Sequence, residues 1–221
     1  MKKINIIYED KYIIVCHKQA GVAVQTKNIR QQDLEGMLLN ELASRGEKPE
    51  IYVVHRLDQP VEGIIVFAKT KEAASSLSRQ FAKKDMVKEY LAVVSGKFDE
   101  KEVRLEDYLL KNGKSNTSHV VDSSNLRAKI AVLDLKVIKD IGDNQLVKIH
   151  LKTGRHHQIR VQLANSGHPI IGDKKYNPDY VNQKGFVQTA LCAHRIVFEH
   201  PETKKIMEFS VQPEAETFYG N

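Results

Sequence analysis

The sequence is poor in the features that staple or anchor a protein. Only two cysteines occur in 221 residues, Cys16 and Cys192, each in an apolar segment and far apart. They support neither a disulfide framework nor a thiolate metal cage, and both read as buried, reduced packing residues. No run approaches the roughly 18 apolar residues of a membrane span. The opening Met1-Lys2-Lys3-Ile4-Asn5 reaches the charged Glu9, Asp10 and Lys11 before a signal-peptide core could form. The chain is therefore expected in the cytoplasm, with no membrane partner. Repeats and low-complexity segments are missing and the longest polar runs are loop-sized, so one domain over residues 1–221 is the expectation. Familiar catalytic fingerprints are missing as well. There is no GxGxxG, and Gly113-Lys114-Ser115 has Tyr108 where a phosphate-binding loop needs its first glycine. No HExxH or CxxC occurs. His156 and His157 are neighbours, which on a helix turns them to different sides rather than toward one metal. No ATP site and no metal are expected.

What is present is ordinary soluble composition, 41% apolar and 28% charged, on a chain long enough for a real core. The net charge of +6 permits a nucleic-acid partner without demanding one. Residues 4–15 read as strand, turn, strand. From Gln31 to Arg45, Leu34, Leu38 and Leu42 recur at helical spacing, and Gly46 supplies a stop. Ile51-Tyr52-Val53-Val54 is a short strand running into His55-Arg56-Leu57-Asp58-Gln59-Pro60, where Pro60 argues for a loop. After Gly63 come a strand over Ile64–Ala68 and a helix over about Lys71–Lys84, with Ala73, Leu77 and Phe81 on one face and Arg79, Lys83 and Lys84 on the other. Strands are expected at 89–95, 129–138 and 146–151, a short helix at 156–164, and a closing hairpin of 193–199 with 206–211. Strands outnumber helices and short turns join most of them. An α+β fold follows, with a mixed, mainly antiparallel sheet and flanking helices.

Chemistry concentrates in one carboxylate and a set of guanidinium groups. Asp58 and Arg56 share the loop, and Arg155 and Arg160 open the short helix. Loops carried by a rigid scaffold are where reactive groups sit. Taken singly, Asp58 is better explained as a turn or cap carboxylate and each arginine as a solvated surface charge, so the argument has to come from the set.

The set resembles a known family. The stretch His55-Arg56-Leu57-Asp58-Gln59-Pro60-Val61-Glu62-Gly63, with its apolar strand, resembles the catalytic motif of the RluA family of pseudouridine synthases. In the same order, Lys88-Glu89-Tyr90-Leu91-Ala92 resembles the family's tyrosine motif and Thr153-Gly154-Arg155-His156-His157-Gln158-Ile159-Arg160-Val161 its TGR-x-HQIRV segment. Gly167-His168-Pro169-Ile170-Ile171-Gly172-Asp173-Lys174-Lys175-Tyr176 resembles its GHPI-x-GD-x-x-Y stretch, and Leu191-Cys192-Ala193-His194-Arg195 its LxAH-like segment. The resemblance implies the pseudouridine synthase fold with a central RNA-binding cleft. It also implies isomerisation of uridine to pseudouridine in structured ribosomal or transfer RNA, with no cofactor or metal. Asp58 matches the catalytic carboxylate, Arg160 the arginine that pairs with it, and Tyr90 the tyrosine that stacks on the base. Arg56 matches the residue that fills the vacancy of a flipped base, and His55, Arg155, His156 and Gln158 fall on positions expected to contact RNA. A single catalytic domain without the family's S4 domain, acting as a monomer, is the accompanying expectation.

Three departures stand out. Val61-Glu62 replaces the usual Thr-Ser, Gln162 stands where a histidine is common, and the lysine-proline-glycine-like turn reads Lys18-Gln19-Ala20-Gly21. An inactive RNA-binding module of the same fold is one alternative, which the presence of Asp58 argues against. A nuclease or glycosidase is another; it would want a second carboxylate, and only Glu62 is near in sequence. The charge also has a pattern. Residues 69–88 hold six Lys or Arg against two acids, and residues 152–175 hold five against one. Each segment is thus +4, which leaves −2 for the rest. A phosphate backbone would need its counter-charge beside such motifs.

Overall fold

The computed structural model describes residues 4–28, 30–83 and 86–220; Met1–Lys3 and Lys84 of the expectations above lie outside them. The chain divides into two compact units, one formed by 1–88 with 193–212 and the other by 89–192 with 213–221.

The first unit opens with β1 (Asn5–Glu9) and β2 (Ile13–Lys18), antiparallel across the turn around Asp10. Asp10 shapes that turn by accepting the N–H groups of Tyr12 and Ile13 at 2.7 and 2.8 Å. Helix α1 (Leu34–Ser44) starts later than its leucine spacing suggested, because Asp33 is its N-cap, accepting the Gly36 N–H at 2.8 Å. It stops at Gly46 with φ +73°, where Glu47 N–H reaches Leu42 O and Gly46 N–H reaches Ala43 O, the paired bonds of a Schellman stop. Short β3 (Tyr52–Val53) and β4 (Glu62–Ala68) are antiparallel, and β4 also pairs with β2. Helix α2 (Lys71–Lys83) lies against β3 and β4. It buries Ala73 and Leu77 with Ile13, Val15, Ile64, Val66, Ile196 and Phe198, and leaves Arg79 and Lys83 exposed. Because Ile14, Cys16, Ile65 and Phe67 are also fully buried, β2 and β4 read as continuous apolar runs rather than alternating ones.

The second unit takes in most of β5 (Val87–Ser95), then β6 (Glu102–Asn112), β7 (Thr117–Val121), β8 (Lys129–Ile141) and β9 (Asn144–Leu151). These run antiparallel in the spatial order β5-β9-β8-β6-β7. β6 and β7 were not expected. Gly113-Lys114-Ser115 is the turn of their hairpin. Helix α3 (Gln158–Asn165) packs on β6 and β7, joining Val161 to Leu109 and Ala131. On the other edge of β5, residues 169–171 run alongside, through Ser95 N–H to Pro169 O and Ile171 N–H to Val93 O. The chain then enters β10 (Leu191–Glu199), which pairs with β11 (Ile206–Ser210) as the expected hairpin, and ends in a 3-10 turn at Glu216–Phe218. The fold is α+β with a mainly antiparallel sheet, as expected.

Candidate active site

The loop after β3 is held by backbone. Leu57 is buried, anchoring the segment between exposed Arg56 and half-buried Asp58. The Asp58 carbonyl accepts the Val61 N–H at 3.1 Å, and the Gln59 carbonyl accepts the Gly21 N–H at 2.8 Å. Gln59 Nε2 returns a bond to Gly21 O at 3.1 Å. Lys18, at 0% exposure, ends β2 with its ammonium inside this junction, donating to Gln19 O, Val22 O and Gln59 O at 3.2, 2.9 and 3.3 Å. The Lys18-Gln19-Ala20-Gly21 turn is therefore the clamp of the Asp58 loop.

His55, expected to face RNA, is bonded within its own unit. Its Nε2 accepts the Val66 N–H at 2.9 Å, and its ring stacks on Phe81 of α2 with centroids 4.5 Å apart. Burial, helped by the Lys88 charge, pushes its pKa down to about 3, so it is a neutral acceptor. Gly63 has φ +125°, and an added Cβ would meet Ala193 N, O and Cα at 2.4, 2.5 and 2.7 Å. A glycine is needed for that close approach.

In the second unit Tyr90 lies half-buried on β5, opposite Ile149. The turn after β9 is organised by Gln158, which is 3% exposed. Its Oε1 accepts from Thr153 Oγ1 at 2.7 Å and from the Arg155 N–H at 3.0 Å, while its Nε2 donates to Val132 O at 3.1 Å. Gln158, expected at RNA, shapes the turn through its amide. Arg155 donates from Nε to Ile130 O at 2.9 Å. α3 begins two residues later than expected because His157 adopts φ +54°. In consequence the two histidine rings do not diverge but stack, with centroids 3.8 Å apart. His156 pairs with Ser118 Oγ at 2.9 Å and Asn116 Oδ1 at 3.1 Å. His157 Nδ1 pairs with Tyr176 Oη at 2.8 Å. Arg160 is buried with its Nε and Nη2 on the two carboxylate oxygens of Asp173, at 2.8 and 2.7 Å.

The departures are internal. Val61 is 2% exposed, and Glu62 is 1% exposed with a carboxylate oxygen 3.8 Å from His17 Nε2. Gln162 is buried, its amide donating to Asp107 Oδ2 at 2.8 Å and Ala131 O at 3.2 Å. These substitutions alter the inner support of the motifs. Lys18, Asp173 and Tyr176 were given no role from sequence. A signal existed for each: a lysine closing an apolar strand, and a carboxylate and an aromatic ring inside a glycine-rich segment.

Among solved structures, this fold is shared by "Human RNA Pseudouridylate Synthase Domain Containing 1", with a TM-score of 0.79 and 25% identity over 98% of this chain and 86% of that one. The architecture is thus that of pseudouridylate synthase domains. The family described as RNA pseudouridylate synthase matches residues 12–165, and the chain belongs to it, as the order of its motifs led us to expect. Among curated relatives, "Uncharacterized RNA pseudouridine synthase YhcT" of Bacillus subtilis is 31% identical over 93% of this chain and 67% of its own. "Ribosomal large subunit pseudouridine synthase C" of Yersinia pestis is 34% identical over 91% of this chain and 63% of its own. The chain thus spans about two thirds of the length of these relatives. The family is one of isomerases.

Proposed function

We propose that this chain isomerises a uridine of ribosomal RNA to pseudouridine. The glycosidic bond from N1 to C1′ breaks, the base turns, and C5 joins C1′ as the C5 proton leaves. The observation that carries the reading is the clamped loop, which presents Asp58 half-exposed between a buried leucine and a closed turn, inside a chain of this family. Asp58 acts at C1′, as the nucleophile or as the group assisting deprotonation there. Arg160 is assigned the part of keeping that carboxylate ionised, since a guanidinium partner opposes the effect of burial. Tyr90 stacks on the target base. Exposed Arg56 takes the place of the flipped uridine; its planar guanidinium can stack and donate together. Arg155 and His156 meet the RNA beside the helix start. The choice of ribosomal over transfer RNA is supported by the names of the curated relatives.

The test is release of tritium to water from ribosomal RNA transcripts carrying [5-³H]uridine. Release is expected from the wild type, with a loss of roughly 10³-fold in Asp58→Asn, the scale of removing a group that acts in the covalent step. Release from no ribosomal RNA, or full activity in Asp58→Asn, overturns the reading.

A further inference from the structure

We propose that Asp173 and Tyr176 are positioning residues that set the orientation of Arg160, an inference that rests on Arg160 serving the reaction. Arg160 is 3% exposed and Asp173 0%. The Nε and Nη2 atoms of one guanidinium edge meet the two oxygens of the Asp173 carboxylate at 2.8 and 2.7 Å. Such a fork fixes the guanidinium plane as well as its place, which a single contact does not. It leaves the Nη1 side as the edge turned away from Asp173.

The carboxylate is itself held. Asp173 Oδ1 also accepts the N–H groups of Lys175 and Tyr176 at 2.9 and 3.3 Å. The Tyr176 ring lies 5.3 Å from Arg160 Cζ, within the range at which a cation is attracted to an aromatic face. Its hydroxyl accepts the Ser118 N–H at 2.7 Å and pairs with His157 Nδ1 at 2.8 Å. His157 is the left-handed residue from which α3 starts. One side chain therefore covers the guanidinium, ties β7 and fixes the residue that launches the helix carrying Arg160. A buried cation held on one edge, backed by a ring and mounted on a pinned helix start has a single presentation. Misplacing a catalytic group by about 1 Å costs on the order of 10²-fold in rate.

The experiment combines a double-mutant cycle with a direct view of the guanidinium. Asp173→Asn is expected to lower kcat for tritium release from [5-³H]uridine ribosomal RNA by roughly 10²-fold with KM changed less than about threefold, and Tyr176→Leu by about tenfold. In an Arg160→Met background neither change is expected to lower kcat further, because each acts through Arg160. Tyr176→Leu leaves the ion pair in place and carries the cycle if Asp173→Asn does not fold. The ¹⁵N–¹H signal of Arg160 Nε is expected to be protected from exchange in the wild type and unprotected in Asp173→Asn, or in Asp173→Gly if the asparagine variant does not fold. Losses that multiply in the Arg160→Met background, a change confined to KM, or retained protection without the Asp173 carboxylate would overturn the proposal. Absence of tritium release in the wild type sinks the synthase reading instead, and the Nε signal then decides the orientation claim alone.

Discussion

The Asp58 loop and the start of α3 carry the two motifs to which the proposed chemistry is assigned, and they are built by opposite means. The loop is fixed through main-chain atoms: Lys18 reaches three carbonyls, Gln59 exchanges bonds with Gly21, and His55 takes one strand N–H. The helix start is fixed through side chains that hold one another, Thr153 with Gln158, Ser118 with His156, Tyr176 with His157, and Arg160 with Asp173. A loop held by its backbone depends less on the identity of the exposed side chains along it, Arg56 and Gln59 among them. A helix start held by side chains depends on their identity. Glycine and charge changes should therefore break the first region, and polar-to-isosteric changes the second.

The largest expected effect is on chemistry in the first region. Asp58→Asn keeps shape and removes only the ionised oxygen, so the roughly 10³-fold loss of tritium release corresponds to about 4 kcal/mol in the barrier, with folding unchanged by circular dichroism. Next comes Gly63→Ala. The backbone at φ +125° and a Cβ 2.4 Å from Ala193 N combine strain with overpacking, and a loss on the order of 3 kcal/mol in urea unfolding is expected. An unchanged midpoint would show that the approach of the two strands can relax.

Lys18→Met sharpens the contrast further. The substitution keeps the stem and removes the ammonium, leaving the carbonyls of Gln19, Val22 and Gln59 without that donor in a buried place. A stability loss of about 2 kcal/mol is expected, together with a drop of roughly tenfold in turnover and little change in RNA binding by filter assay, because the loop loses its clamp and not its contact groups. Normal turnover in a destabilised protein would mean that Gly21 and Gln59 hold the loop alone.

How far the fold and the site are readable from sequence follows the same division. The Asp58 loop announces itself through Pro60, Gly63 and the apolar runs on either side, all of which act locally. Strands β2 and β4 are legible because a short uninterrupted apolar run bounded by turn residues fits a strand buried on both faces. β6 and β7 are less so: Glu102–Glu106 alternates polar and apolar residues, but Asp107 breaks the alternation and only one of the eleven residues of β6 is fully buried. The sequence pattern puts the start of α3 two residues early because the left-handed His157 is stabilised by Tyr176, 19 positions on, and nothing near His157 in the chain signals it. For the same reason the internal bonds of His55 and Gln158 are not readable in the sequence. Their partners, Val66, Phe81 and Val132, come from other elements, and only the folded chain brings them near. Membership of the family is legible since it rests on the order of motifs, whereas the tasks of individual polar residues rest on contacts.

The smallest expected effect concerns pH and separates the two regions again. In the second region the buried cation is a guanidinium, which does not titrate in the accessible range. In the first, His55 is held neutral, its pKa pushed from 6.5 to about 3 chiefly by burial. Between those values the unfolded chain takes up a proton that the folded chain refuses, so stability falls as pH falls below 6.5 and levels off only near pH 3. At 1.36 kcal/mol per unit, the loss attributable to His55 between pH 7 and 5.5 is about 1 kcal/mol. His55→Gln keeps an acceptor for the Val66 N–H and cannot ionise, so the variant should lose this slope. Urea unfolding of both proteins at pH 7, 6 and 5.5 reads the difference in a window where ordinary carboxylates stay ionised in both states. Parallel slopes would mean that the ring protonates in place, with Lys88 or Phe81 moving to admit the charge.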